Sequence, residues 1–212
     1  MPTTAYNRIS GQSLERIAAL SDGVFAVAMT LLVLDLHAPA AEAIHSEGEL
    51  WQKLLPLLPR LLAYLMSFLT LGIFWVGQQT QLNHFERADR NLAWVHLGFL
   101  FAVTLLPFTT TLLAEFIEYR SALLLYWLNI VLLGAMLVGS WLYASRHGVV
   151  KQDAPPELNR LMLGRVIVAQ SLYAFGAALC LFSTYLSIGF IILVQLNYVI
   201  APRSWFKSKG VG

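Results

Sequence analysis

Charge is what this sequence has least of. Only 12% of its 212 residues are Asp, Glu, Lys or Arg, about half the roughly 25% usual in soluble domains, whereas 58% are hydrophobic. That balance argues against a soluble fold. The few charges nearly cancel, 14 basic against 12 acidic for a net +2, too small an excess to imply a nucleic-acid partner. A single cysteine, Cys180, excludes an intrachain disulfide framework and a cysteine-rich metal site. His37, His45, His84, His96 and His147 show no metal-ligand spacing, so no metal or other cofactor is expected. No clustered nucleophile and no paired catalytic carboxylates stand out, which argues against an enzyme. Internal repeats are absent, and so is the ten-residue alternation of a membrane barrel strand.

What the sequence does have is long apolar runs, at about 17–36, 55–76, 92–114, 122–144, 163–181 and 186–201. A helix of about 20 apolar residues crosses a bilayer core, and lipid requires the backbone to satisfy its own hydrogen bonds, so these runs predict six transmembrane helices. The expected fold is an all-α polytopic membrane protein, with 1–212 as one six-helix domain. Only 182–185 interrupts the last two runs, which implies a very short turn.

Arg8, Arg16, Arg87, Arg90, Arg146, Lys151, Arg160, Arg165, Arg203, Lys207 and Lys209 fall on one side of such a bundle. The other side keeps Lys53, Arg60 and Arg120 with an acidic loop carrying Glu42, Glu47 and Glu49. The positive-inside rule therefore puts both termini in the cytoplasm, the parity that six spans require, in a cell membrane. Arg8, an apolar core over 23–34 and Ala38-Pro39-Ala40 resemble a cleavable leader. Asp22 and Asp35 fit that poorly, and cleavage would leave an odd number of spans, so the segment reads as a retained first helix. The stretch 146–159, with Pro155 and Pro156, has the character of a short cytoplasmic linker. Pro56 and Pro59 fall in the first turns of the second helix, and Trp51, Trp75, Trp141 and Trp205 near membrane interfaces.

The most informative stretch is 16–36, RIAALSDGVFAVAMTLLVLDL, which puts Arg16, Ser21 and Asp22 at the start of an otherwise apolar span. Polar groups in lipid face protein or water and mark a functional site by default. The plainer reading is that Arg16 snorkels and that Ser21-Asp22 caps a helix start. At about 100° per residue, Gly23, Val27, Thr30 and Leu34 share one stripe, with Ala26 and Leu31 at its edges. Such a stripe suits either a pore lining or a helix contact, and periodicity does not choose between them.

These residues carry a resemblance to the transmembrane protein 175 family of endolysosomal potassium channels, particularly its single-repeat prokaryotic members. Arg16, Ser21, Asp22 and Gly23 followed by VFAVAMTLLVL match its first-helix signature, with Leu20 in place of Phe. FWVGQQTQLNHFERADRNLAWVHLGFLFAVTLLPF is similar to its second-to-third helix region, although the family's usual histidine is absent near Gln78 and Gln79, and His96 stands near its usual asparagine.

The resemblance implies a symmetric homotetramer in the lipid bilayer whose first helices surround a central pore permeable to K⁺ over Na⁺, without the TVGYG loop of other K⁺ channels. Val27 takes the position of the narrow apolar constriction, with Leu31 and Leu34 further along the gate and Thr30 beside Val27 contributing to selectivity. Arg16, Ser21 and Asp22 would hold the pore helix in register. Arg16 and Asp22 lie about 240° apart on the helix, so their partners come from other helices, with Gln78, His84, Asp89, Asn91 and His96 as candidates. The competing reading is a proton- or cation-coupled secondary transporter using Arg16, Asp22 and His96, although inverted repeats and broken helices are not visible.

Overall fold

The computed structural model describes residues 13–40 and 44–200. Arg8, Glu42, Arg203, Trp205, Lys207 and Lys209 lie outside the described residues. Within them the chain is helical: α1 (Leu14–Val33), a short α2 (Glu47–Leu54), α3 (Leu58–Asn83), α4 (Arg90–Glu115), α5 (Arg120–Arg146), α6 (Leu158–Ala178) and α7 (Thr184–Ile200). Single 3₁₀ turns join α2 to α3 and follow α6. Five stretches are long and apolar enough to cross a membrane, and α7, at 17 residues, is a shorter apolar helix.

Local chemistry sets the helix starts. Ser13 caps α1 by accepting from the Arg16 backbone N–H at 3.3 Å, and Asp89 caps α4 through the Leu92 N–H at 2.8 Å. Ser21 and Asp22 therefore lie two turns inside α1, and the reading of them as a cap is corrected. Pro59 sits in the first turn of α3, where no N–H is needed. The helix α4 runs on through Pro107.

The helix α1 packs on α3 and α4, α4 runs along α5, and α6 and α7 close the far side against α5 and α3. The main core joins Phe25, Leu32, Met66, Phe99, Val103, Leu133 and Ile191. A second cluster, with Phe85, Leu92, Trp141, Val149 and Leu158, seals one end of the bundle. There the stretch expected to be a linker is tied down: Glu86 N–H donates to Val149 O at 2.8 Å and Lys151 N–H to His84 O at 3.0 Å. Trp141 belongs to this seal. It is 1% exposed, stacked on Phe85, and its indole N–H donates to Asn159 Oδ1 at 2.7 Å, so it is a core residue and not an interfacial ring.

Candidate functional site

The helix α1 has two unlike faces. Ser21, Phe25, Ala28 and Leu32, at spacings of three and four, are at most 2% exposed. This is the face that meets α3 and α4. At its polar end the Ser21 hydroxyl donates to Ile17 O at 2.8 Å and accepts from Gln78 Nε2 of α3 at 2.6 Å. Gln78 also reaches the His96 ring on α4. Three buried polar side chains from three helices thus meet in one knot, and in a membrane interior separating them leaves groups that nothing else satisfies. The Gln78 Oε1 and His96 Nδ1 atoms have no hydrogen-bond partner among the described residues.

Asp22, one residue on, points to the rim of that contact. Its Oδ1 accepts from Trp75 Nε1 and from Gln79 Nε2, both at 2.8 Å. Trp75 and Gln79 are one turn apart on α3, so a single carboxylate oxygen pins α1 against one ridge of α3. Of the candidate partners for the Arg16, Ser21 and Asp22 network, Gln78 and His96 join it, but at Ser21, and Asp22 meets none of Gln78, His84, Asp89, Asn91 and His96. Asp89 is a helix cap and accepts from the Tyr143 hydroxyl at 2.7 Å, with Asn91 beside it. His84 ends α3, its ring against Thr80 O at 2.7 Å. Arg16 is exposed and makes no side-chain hydrogen bond or ion pair with another described residue. Arg16, Asp22 and His96 are therefore not brought together.

The opposite face of α1 is left uncovered by the described residues. Gly23, Ala26, Val27, Thr30, Leu31 and Leu34 are all exposed, Val27 at 57% and Leu34 at 64%. They flank an open groove of about 390 Å³ lined by α1 from Ala19 to Leu31 and by Thr104 and Pro107 of α4. Its walls are apolar, with nothing along Gly23, Val27 and Leu31 able to replace the hydration of an ion. Thr30 supplies the single hydroxyl on the stripe. Its Oγ1 lies 3.0 Å from Ala26 O and 2.8 Å from Val27 O, so its proton is held within the helix while its lone pairs stay open. Among the described residues no group of three or more His, Cys, Asp or Glu could hold a metal ion.

Two features escaped the sequence reading. Trp75 and Gln79 carried a usable signal, since residues four apart on one helix face the same neighbour. The second is a buried polar column in the far half of the bundle. There the Tyr126 hydroxyl meets Ser67 at 3.3 Å and Thr70 at 3.0 Å, Thr110 donates to Ser67 at 2.7 Å, and Gln195 donates to Thr70 at 2.7 Å. Its members come from four helices and share no motif.

Comparison with known proteins places these features. Residues 16–107, which hold the α1 stripe, the Ser21 knot and the Asp22 partners, match the family described as endosomal/lysosomal potassium channel TMEM175. A protein of Streptomyces collinus named a potassium channel is 37% identical over 66% of this chain and 70% of its own length. One from Chamaesiphon minutus, named likewise, is 30% identical over 89% and 95%. The crystal structure of a lysosomal potassium-selective channel TMEM175 homolog from Chamaesiphon minutus superposes with a TM-score of 0.74 at 28% identity, covering 90% of this chain and 98% of that one. Vertebrate relatives named endosomal/lysosomal proton channel TMEM175 also match, and the chain spans 40% of the length of the zebrafish one.

Proposed function

The chain belongs to the TMEM175 family of ion channels, and from that premise we propose that it is a potassium-permeable cation channel of the cell membrane. In this reading 1–212 forms one six-helix unit, four copies assemble, and their first helices surround a central pore. Val27 forms the narrow ring, Leu31 and Leu34 continue the apolar gate, and Thr30 lines the next level. The observation that carries the proposal is the uncovered stripe on α1: one face of the helix is fixed to its own chain by Ser21 and Asp22, and the other has no partner among the described residues. A single chain supplies one such helix, so a pore lined by it needs several copies.

Chemistry supports the same assignment. A ring of Val27 side chains offers no oxygen ligands, so a cation passes there according to pore width, and the ring closes by dewetting. The excess of Arg and Lys at the α1 start and at the α3–α4 and α5–α6 connections supports cytoplasmic termini.

The test is the purified chain in a planar bilayer between unequal KCl and NaCl solutions. Unitary current steps with a K⁺-favouring reversal potential are expected, and Val27→Asn, which admits water, should shift that potential toward indifference. A flux without resolvable unitary steps would replace the channel by a carrier. Steps whose reversal potential ignores Val27→Asn would remove Val27 from the pore. Because vertebrate relatives are named proton channels, the same recording across a pH gradient measures how much H⁺ contributes.

A further inference from the structure

A second cavity lies away from α1, among α3, α5, α6 and α7. It has a volume of about 60 Å³, and its walls include Phe74, Gly77 and Gln81 of α3 and Ala169, Gln170 and Tyr173 of α6. The helix α1 contributes no wall, so the site stands apart from the proposed pore.

Its polar atoms have a defined need. Gln81 Nε2 donates to Leu137 O and Gln170 Nε2 to Ile130 O, each at 3.1 Å. A backbone carbonyl only accepts, so both amides are fixed with nitrogen toward α5 and oxygen away from it. Gly134 tightens the second: a Cβ there would run into the Gln170 amide, so that amide lies directly on the α5 backbone. Both Oε1 atoms are buried and make no hydrogen bond with another described residue, and the Tyr173 hydroxyl has only the Gln195 side chain beside it among the described residues. Gln81 is 3% exposed and Tyr173 1%. Leaving such groups dry in a membrane interior is costly.

We propose that this cavity is a hydrated site that binds small neutral hydrogen-bond donors, with water as its resident. The acceptors set the class. Two carbonyl oxygens need a ligand that donates twice, which water does, and Arg165 at the rim with no carboxylate in the walls disfavours a cation. Size agrees, since about 60 Å³ exceeds the roughly 10–15 Å³ that a single water needs. Water here joins α3 to α6 through Gln81 and Gln170, in a place where the two helices have no direct polar contact through those oxygens.

The experiment is radiolytic hydroxyl labelling of the full chain in lipid discs, read by mass spectrometry. It compares Tyr173 with Tyr126, which is equally buried, hydrogen-bonded and absent from the cavity walls. Resident water should label Tyr173 about tenfold faster than Tyr126, because radicals form next to it. Ala169→Leu should fill the cavity and bring Tyr173 down to the Tyr126 rate. Gly77→Ala serves if that variant does not fold, since a Cβ there meets nothing nearer than Leu137 at 3.7 Å. Equal labelling of the two tyrosines in the wild type overturns the proposal. So does fast Tyr173 labelling that survives both fillings.

Discussion

The two faces of α1 are built from much the same residues and behave in opposite ways. Phe25, Ala28 and Leu32 are at most 2% exposed, whereas Val27 and Leu34, one or two positions away, are more than half exposed. Hydrophobicity does not choose between the faces, because both are apolar and lipid accepts either. The polar anchor chooses. Ser21 is on the buried face and must stay with Gln78 and His96, and Asp22 fixes the rotation from the rim through Trp75 and Gln79. In a membrane helix a few polar contacts thus orient an apolar surface that would otherwise be free to turn.

Substitutions that treat the faces alike should give unlike results. Phe25 packs against Phe99 with ring centres 6.0 Å apart, so Phe25→Ala should lower unfolding stability by about 3 to 5 kcal/mol. Val27→Ala on the other face should change it by about 0.5 kcal/mol or less. Thermal unfolding in detergent compares them, and equal losses would mean that Val27 is packed within its own chain. Next comes the knot. Gln78→Leu strands Ser21 and His96 and should cost about 1 to 3 kcal/mol, while adding His96→Leu should recover part of the loss by removing the second orphan. A double variant weaker than the single would show that His96 has its own attachment.

Asp22 should matter less for stability, because its carboxylate is exposed and solvent replaces part of what is lost. Asp22→Ala should cost about 1 to 2 kcal/mol, and Asp22→Asn less, since an amide oxygen still accepts from Trp75 and Gln79. Both should assemble less well than wild type while conducting with the same ion preference. An Asp22→Ala protein that assembles normally and conducts with altered selectivity would put the carboxylate on the permeation path.

How much of this could be read in advance depended on whether the information was local. The α1 stripe was legible because helical periodicity is a property of one segment, and Ser21 and Asp22 stood out against an apolar run. Their partners were not, since the rotation of α3 against α1 cannot be obtained from either helix alone. Asp89 looked like a network member because it is charged beside a span, yet its position before α4 made it a cap. Trp141 looked interfacial because it lies near a helix end, yet the 146–159 stretch folds over it. The Tyr126 column and the Gln81–Gln170 cavity were invisible because their hydroxyls and amides are single residues on separate helices.

The finest division between the faces is at Thr30, the one hydroxyl on the uncovered stripe. Its proton is committed to the backbone of the preceding turn, at Ala26 O and Val27 O, an arrangement that any membrane helix threonine adopts and that needs no pore. The oxygen lone pairs remain, and in the proposed tetramer four of them at one level would face water stripped from a cation at the Val27 ring. Thr30→Val separates these roles because it keeps the shape and deletes only the oxygen. If the hydroxyl serves the helix alone, the variant assembles and conducts like wild type, since the α1 backbone is already fully bonded. If it serves hydration, the K⁺ preference over Na⁺ falls by about 0.5 to 1 kcal/mol, roughly two- to fivefold, the net worth of one ordinary hydrogen bond. We expect the second result, and Thr30→Ser, which restores the oxygen on a smaller side chain, should return most of the preference. The shift should stay below that of Val27→Asn, because the ring decides how much water is removed and Thr30 only compensates for it. Reversal potentials of the three variants in one KCl–NaCl gradient give that order, and a Thr30→Val value equal to wild type would leave the hydroxyl a helix-internal group.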